Sequence, residues 1–274
     1  MPELPEVETV VRRLMPIVVG RTIRDFESRW RRQIAPSVPS VRTALIGRRI
    51  ERAHRRAKYI VLDLDDGSWL LIHLRMSGRF EWTDSAAGVA RNADAPEPAH
   101  VRAVWRLDDD RRLYFCDARK FGRIIHTRDL ESGTGRLGIE PLSRAFTTRA
   151  LAGILAKRRA RLKPLLLDQS LVAGLGNIYV DESLFRARLH PLMPADRLHP
   201  AQVTALRVAI RHVLRAAIRR NGTSFDWVYP AGQMQNHLQV YGRAGEKCRR
   251  CGDTIVALRV GQRGTHVCPT CQAR

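Results

Sequence analysis

Lysine is scarce in this chain: only 5 of its 48 basic residues are Lys, and the other 43 are Arg. An arginine bias also follows from a GC-rich genome and proves nothing by itself, so a lysine at a motif position carries more information. Acidic residues are few as well, 27 against 48, which leaves a formal net charge of +21. That excess is larger than an enzyme of neutral metabolites needs, and it points to a polyanionic partner. Long apolar runs are missing. The longest are pieces such as Trp69-Leu70-Leu71-Ile72, far short of the ~20 residues of a membrane span. The start, Met1-Pro2-Glu3-Leu4-Pro5-Glu6, is acidic and broken by prolines, unlike a secretory signal. A soluble, cytoplasmic, nucleic-acid-binding protein is therefore expected. Its 274 residues, 44% of them apolar, suffice for two modest domains or one large one.

Apolar spacing divides the chain. Val7, Val10, Val11 and Leu14 recur at helical intervals after Pro5, Glu6 and Glu8, and Gly20 closes that helix. From about 21 to 128 the pattern is β. Ile60–Leu64, the turn Asp65-Asp66-Gly67 and Trp69–Leu74 predict one hairpin; Val101–Leu107, Asp108-Asp109-Asp110 and Leu113–Cys116 predict a second. Between them, 85–99 is rich in Ala, Gly and Pro and reads as a loose loop. Beyond about 133 the period becomes helical. Thr147 or Thr148 would cap a helix through Arg158, 165–171 and 178–188 flank a glycine turn, and 201–220 forms a long Arg-rich amphipathic helix. The order is one helix, a β domain, a helical domain and a small tail module.

Cysteine is sparse, five residues, but four form two pairs: Cys248-x-x-Cys251, then 16 intervening residues, then Cys268-x-x-Cys271. This is the spacing of a four-thiolate zinc ribbon with every coordination position filled, so the ion, one structural Zn2+, would activate no water. Disulfides are the alternative, disfavoured in a cytoplasmic chain. Cys116, inside an apolar strand, reads as a buried thiol. The tail hairpin carries Arg259 and Arg263, and a guanidinium held on a β-ribbon suits bidentate phosphate contact, although most arginines here would be solvated charges.

At the other end, removal of Met1 would expose the secondary amine of Pro2. An α-amino group titrates near pH 8, so a useful fraction is neutral and nucleophilic at pH 7. Attack on a carbonyl-level carbon would give an iminium, with Glu3 and Glu6 at hand for proton transfer. The same prolines and glutamates also serve simply to start a helix. The turn Gly174-Leu175-Gly176-Asn177 could cradle a phosphate with backbone N–H groups, or merely join two helices. Met76, Arg119 and Phe121, on loops after strands, are candidates to wedge into a base stack, though an apolar residue at a strand end is more often core.

Taken together, Pro2-Glu3-Leu4-Pro5-Glu6-Val7-Glu8-Thr9, Lys58, residues 73–78, 117–122 and 175–182, and the ribbon ending Cys271-Gln272 resemble the bacterial formamidopyrimidine-DNA glycosylase family along essentially the whole chain. The resemblance implies an α+β fold in two domains. Residues 1–132 would form the N-terminal helix and β-sandwich, 133–243 a helix-two-turn-helix domain with a lesion-recognition loop, and 244–274 the zinc finger, with DNA in the cleft. It implies Pro2 as nucleophile at C1′ of a flipped nucleotide, Glu3 as acid/base, Glu6 in support, and Lys58 and Arg263 within the catalytic set. Lys58, His73, His100, Asn177 and Arg263 would hold phosphates, while Met76, Arg119 and Phe121 would fill the void. Lys163 would lie near the lesion pocket, and Tyr241 would be a further DNA-contact residue. The implied partner is duplex DNA carrying oxidised purines or abasic sites, bound by a monomer at the bacterial nucleoid. Leu4, where the endonuclease VIII branch has glycine, favours oxidised purines over pyrimidines. A non-catalytic lesion binder on the same scaffold is opposed by intact Pro2, Glu3 and Lys58.

Two departures stand out. Arg75 occupies a position where the family usually has glycine. The segment 224–238 is shorter than usual and lacks the P-G-Y/T-F pattern; Trp227, Tyr229 and Pro230 make it stiffer and more apolar than a glycine-rich cover. An intact 8-oxoguanine differs from guanine by one oxo group and one N–H, so its selection rests on a few hydrogen bonds of about 0.5–1.5 kcal/mol each. Ring-opened lesions are already distorted and should depend less on such a cover. The ratio of 8-oxoguanine to formamidopyrimidine excision, as kcat/KM opposite cytosine, is therefore expected to fall below the family's usual value. A chimera carrying the longer family loop is the control; an equal or higher ratio, unchanged in the chimera, would remove this loop as the cause.

Overall fold

The computed structural model describes residues 1–83, 97–156, 159–224 and 232–274. Most of the loop expected at 85–99, the end of the helix expected through Arg158, and Trp227, Tyr229 and Pro230 of the shortened segment lie outside the described residues. Two compact units emerge. One gathers the described residues of 1–2 and 6–136, the other those of 3–5 and 137–274.

In the first unit, α1 (Leu4–Val18) is followed by β1 (Ile23–Ser28), β2 (Ile34–Ala35), α2 (Val38–Leu45), β3 (Ile50–Arg56), β4 (Tyr59–Leu64), β5 (Trp69–His73), β6 (Gly78–Trp82), β7 (Val101–Leu107), β8 (Arg112–Asp117), β9 (Arg123–Thr127) and α3 (Leu130–Thr134). Four strands make one antiparallel sheet, β1-β7-β8-β6, and five make another, β2-β9-β5-β4-β3. Both expected hairpins form, with Asp63 opposite Trp69 in one and Trp105 opposite Leu113 in the other. The main apolar core takes Phe26, Trp105 and Phe115 from the first sheet, Ile60, Leu62 and Ile72 from the second, and Val7, Val11, Leu14 and Val18 from α1. This is a sandwich whose helix closes the core, and the 3.6-residue spacing of those valines is why α1 presents one buried stripe. Within it Phe80 lies 5.5 Å from Phe115 and Phe26 5.2 Å from Trp105, centroid to centroid.

Among the described residues, the stretch read as purely β contains one α-helix, α2. Ser37 caps it, its hydroxyl accepting from Ser40 N, and Pro39 stands in its first turn. Only Val41 and Leu45 are buried, so the apolar period was too short to recognise.

The second unit contains α4 (Thr148–Ala156), α5 (Leu162–Leu167), α6 (Asn177–Ala187), α7 (Pro200–Arg219), β10 (Val256–Val260) and β11 (Arg263–Val267). Thr147 is the cap of α4, its hydroxyl accepting from Ala150 N at 3.1 Å. The helices share a core that includes Leu4, Phe146, Leu166, Tyr179, Leu206, Ile210 and Leu214. The β10–β11 ribbon has little core of its own. Its cysteines pack with Phe185, Val240 and Ile255, and the Gln272 amide donates to Leu189 O at 2.9 Å.

Candidate nucleic-acid interface and zinc ribbon

In the first unit the expected contact residues stand on turns between strands. Met76 and Phe121 are 40% and 52% exposed, unusual for large apolar side chains. Their turns converge on a buried carboxylate. Asp117, wholly buried, accepts from Ser77 Oγ (2.5 Å), Gln33 Nε2 (3.1 Å) and Gly122 N (2.7 Å). Ser77 Oγ in turn accepts from Arg119 N at 3.1 Å. The backbone of Asp117 receives Arg102 Nε at its carbonyl and donates to His100 O. One side chain thus ties the Met76 turn to the Arg119–Phe121 turn and sits beside His100. Gly122 admits no side chain, since a Cβ would lie 2.6 Å from the Phe115 ring. The Arg119 guanidinium lies over the Phe121 ring at 5.2 Å, so the two exposed tips form a unit.

His73 is mostly buried, and burial, reinforced by Arg75, Lys58 and Arg123, holds its pKa down to about 3. Its Nδ1 accepts from Arg75 N at 3.0 Å, which leaves the ring proton on Nε2. His73 is a neutral donor throughout the physiological range. Arg75 has φ +53°, the left-handed region that suits glycine, which accounts for the glycine of the family at this place. Lys58 is buried on the β3–β4 turn beside Ala57, at φ +51°. Pro2 and Glu6 are buried, while His100 and Arg119 are exposed. The Cys116 thiol is buried and pushed up to about 11, in keeping with an inert thiol.

In the second unit the glycine turn takes the plainer of its two readings, a join between α5 and α6, and the expectation for Lys163 is corrected. The glycine turn does not present its amides to a phosphate. Gly176 N and Ile178 N each donate to the Glu3 carboxylate at 2.8 Å, and Tyr179 N adds a longer bond at 3.4 Å. The N-terminus of α6 is thus filled by the protein's own anion. Glycine is required at 176, where a Cβ would stand 2.4 Å from the Glu3 carboxyl carbon, and Gly174 O receives Leu4 N at 3.0 Å. Lys163, expected as a DNA contact, is wholly buried. Its ammonium donates to Asp181 Oδ1 (2.6 Å), Thr265 Oγ1 (2.8 Å) and Gly264 O (3.0 Å), so all three donors are spent on protein. Burial lowers its pKa against the opposing pull of Asp181.

Asp181 and Glu182 are acids inside α6 to which the sequence reading gave no role. The second oxygen of Asp181 accepts from His266 N at 3.0 Å. Glu182 gathers the amides of Gln239, Val240 and Tyr241 at 2.9–3.0 Å, and burial holds its pKa up. Two adjacent acids in an apolar helix were the available signal, because such charges stay buried only when paired. Burial also raises the Tyr241 phenol, opposed by the Asn177 side chain. The Asn177 amide donates to Gly264 O at 2.9 Å, beside the exposed Arg263, which follows Gln262 at φ +61°.

The four sulfurs of Cys248, Cys251, Cys268 and Cys271 lie within 4.8 Å of one another. The 4.0 Å separation of Cys248 and Cys271 and the 3.4 Å of Cys251 and Cys268 bracket the ~3.8 Å edge of a tetrahedron with Zn–S near 2.3 Å. Amides of Arg250 and Cys271 point at Cys248 and Cys268 sulfurs, both at 3.4 Å, as thiolate knuckles require. The donor set fits one structural Zn2+.

A β-sandwich with large apolar side chains exposed on its turns, a helical unit and a four-thiolate ribbon define a zinc-ribbon protein of nucleic-acid-binding class. Family models agree in the same order: the formamidopyrimidine-DNA glycosylase N-terminal domain over 1–124, its H2TH domain over 137–227, and the zinc finger found in FPG and IleRS over 245–274. The chain is 47% identical over 280 residues to the formamidopyrimidine-DNA glycosylase of Chloroflexus aurantiacus, covering 99% of this chain and 98% of that one. Its counterpart in Roseiflexus is 44% identical, with 99% and 100% covered. Among solved structures, the Lactococcus lactis Fpg complexed with abasic-site DNA matches with TM-score 0.90 and 36% identity over 99% of this chain and 100% of that one. A MutM complex with DNA containing carbocyclic 8-oxo-G gives TM-score 0.90 and 38% identity, with both chains fully covered. The chain belongs to the formamidopyrimidine-DNA glycosylase family.

Replacing Asp117 by Asn would set an NH2 or a lone acceptor against Gly122 N, Gln33 and Ser77. Urea unfolding should show a loss of about 1–3 kcal/mol, whereas Arg119→Ala and Phe121→Ala, on exposed tips, should stay within about 0.5 kcal/mol. Equal effects would refute the hub. In the ribbon, Cys268→Ser should release zinc and displace Arg263. DNA affinity, read by anisotropy, should collapse while the rest of the molecule keeps a cooperative melt; normal DNA cleavage by this variant would overturn the ribbon's role.

Proposed function

We propose that this protein is a bifunctional DNA glycosylase/lyase that removes oxidised purines, formamidopyrimidines and 8-oxoguanine, from duplex DNA and cleaves the resulting abasic site. Family membership supports this reading, as do the DNA complexes of its structural relatives. The observation that carries it is the fixed chain start. Glu3 is buried and held by three amides of α6, which anchors the residue next to Pro2.

With Met1 removed, the Pro2 nitrogen attacks C1′ of the flipped nucleotide. The N–C1′ bond forms as the bond from C1′ to the base breaks, and the base departs with a proton. Opening of the sugar C1′–O4′ bond, with a proton to O4′, leaves an iminium. Glu3 serves as the acid/base in these transfers and Glu6 supports it. The iminium acidifies the 2′ hydrogen, whose loss expels the 3′ phosphate; a second elimination expels the 5′ phosphate. Lys58, His73, His100, Asn177 and Arg263 hold phosphates, His73 as a neutral Nε2–H donor. Met76, Arg119 and Phe121 fill the void, with Arg119 facing the orphaned cytosine, whose acceptor edge suits guanidinium.

Lys163 acts through the ribbon it pins rather than by touching DNA, and Tyr241, a DNA-contact residue in this reading, meets His266 of that ribbon edge-on at 5.1 Å. Cys248, Cys251, Cys268 and Cys271 would hold one zinc ion, which would supply shape to the ribbon and no reacting group. We assign residues 1–132 to the catalytic sandwich, 133–243 to the helical domain and 244–274 to the zinc finger, and place the enzyme at the bacterial nucleoid. Among the described residues no helix is long and apolar enough to cross a membrane.

Borohydride added during reaction with lesion duplex should trap protein on DNA through the N-terminal proline, seen as a shifted band and mapped by N-terminal peptide analysis. An adduct at a lysine, or none from correctly processed protein, would defeat the mechanism.

A further inference from the structure

The 20 residues of α7 contain no Asp or Glu, and Arg207, Arg211, Arg215 and Arg219 recur at every fourth position. With a rise of 1.5 Å per residue, these arginines form a stripe about 18 Å long. The opposite face, with Val203, Leu206, Ile210, Val213 and Leu214, is buried. Like charges at i,i+4 destabilise a helix, and three such pairs follow one another here. A helix shaped for stability alone would alternate them with glutamate.

The stripe is built rather than merely solvated. Arg207 Nε donates to Phe146 O at 2.7 Å, and Arg211 Nη1 donates to Pro141 O (2.8 Å) and Ser143 O (3.0 Å). These bonds orient two guanidinium forks while leaving their charge unneutralised. Arg215 and Arg219 are exposed, and neither pairs with a carboxylate among the described residues. The four arginines, Val208 and His212 line a groove of about 550 Å³. The neighbouring segment 141–149 adds Arg144 and Arg149 and no acid. Burial and the charges of Arg186, Arg219 and Arg220 all push the His212 pKa down, and burial with Arg215 and Arg207 does the same to Arg211. The groove therefore holds a positive potential, and among the described residues none of its four arginines pairs with a carboxylate.

We propose that this groove is a second phosphate-backbone site, which holds a segment of undamaged duplex DNA while the lesion site is free or occupied. None of its residues belongs to the proposed lesion site. B-form DNA carries one charge per ~1.7 Å of axis, so an 18 Å stripe runs beside about ten phosphates. Planar guanidinium forks match phosphate oxygens bidentately. An acidic protein segment fits less well, because the groove offers one aliphatic side chain, Val208, and none of the aromatic pockets that anchor protein partners.

The test uses the full-length protein with Arg215→Glu and Arg219→Glu together, which spares the two pinned arginines and restores an i,i+4 pair between position 215 and Arg211. Binding to a long undamaged duplex is followed by anisotropy against salt. The slope of log K against log salt should shrink by about 1.8, that is 0.9 for each of two lost contacts, and affinity at low salt should fall at least tenfold. Single-turnover excision from a saturating short lesion duplex should be unchanged. Wild-type protein already saturated with that duplex should capture a second, labelled undamaged duplex, and the variant should not. An unchanged slope would overturn the proposal. So would excision that falls with binding, which would place the stripe in the substrate footprint, or displacement of duplex by polyglutamate at lower charge concentration, which would make it a protein-docking site. These readouts need no covalent chemistry, so they stand apart from the borohydride result.

Discussion

The N-terminus of α6 can hold one anion, and this chain gives it to Glu3. A helix start concentrates unsatisfied N–H groups and the positive end of the backbone dipole, which makes it a natural phosphate site. Here Gly176, Ile178 and Tyr179 spend their amides on a carboxylate 173 to 176 residues away in sequence. Everything proposed for the chemistry depends on that choice. A nucleophile on the second residue of a chain would ordinarily fray. A buried carboxylate on the third residue removes that freedom, and glycine at 176 is the condition for it, because any Cβ there would occupy the carboxylate's place.

The rest of α6 repeats the device. Asp181 takes Lys163 on one oxygen and His266 N on the other, and Glu182 takes three amides leading to Tyr241. Removing either acid would strand donors in the interior, at about 1–3 kcal/mol for each unmet group. Replacing a whole buried pair by apolar residues often costs little, so these charges are better understood as setting position than as adding stability. They fix the ribbon tip carrying Arg263 and the turn carrying Tyr241 to the same helix whose first turn holds Glu3.

Much of this was legible beforehand because its signals are local. A tetrahedron of sulfurs demands two knuckles, and two C-x-x-C pairs declare them. The strand pair across Asp65-Asp66-Gly67 shows in apolar residues beside a turn that only a few residue types can make. The helix α2 was missed because two buried residues make no period. The hubs were missed for a different reason. Asp117 looks like an ordinary turn charge, Asp181 and Glu182 are marked only by standing in an apolar helix, and partners come from distant positions: Gln33 for Asp117, His266 for Asp181, residues 239–241 for Glu182. Lys163 misled in the reverse direction, since the resemblance put it near the lesion pocket, yet Asp181, Thr265 and Gly264 use all of its donors.

Strain follows the same map. Among the described residues eight non-glycine positions have positive φ, and five of them, Ala57, Arg75, His100, Lys120 and Gln262, coincide with or adjoin residues proposed to touch DNA. A left-handed residue bearing a Cβ costs on the order of 1 kcal/mol, and it persists only where its surroundings leave no alternative. At Arg75 the surroundings are His73 Nδ1, which accepts its amide, and Ser77, locked to Asp117. At Lys120 they are Arg119 N on Ser77, one residue before it, and Gly122 N on Asp117, two residues after it. The turns that carry Met76 and Phe121 are therefore held in shape before any duplex arrives. An apolar wedge gains from that arrangement, because ordering it at the moment of binding would subtract from the contacts that repay base unstacking.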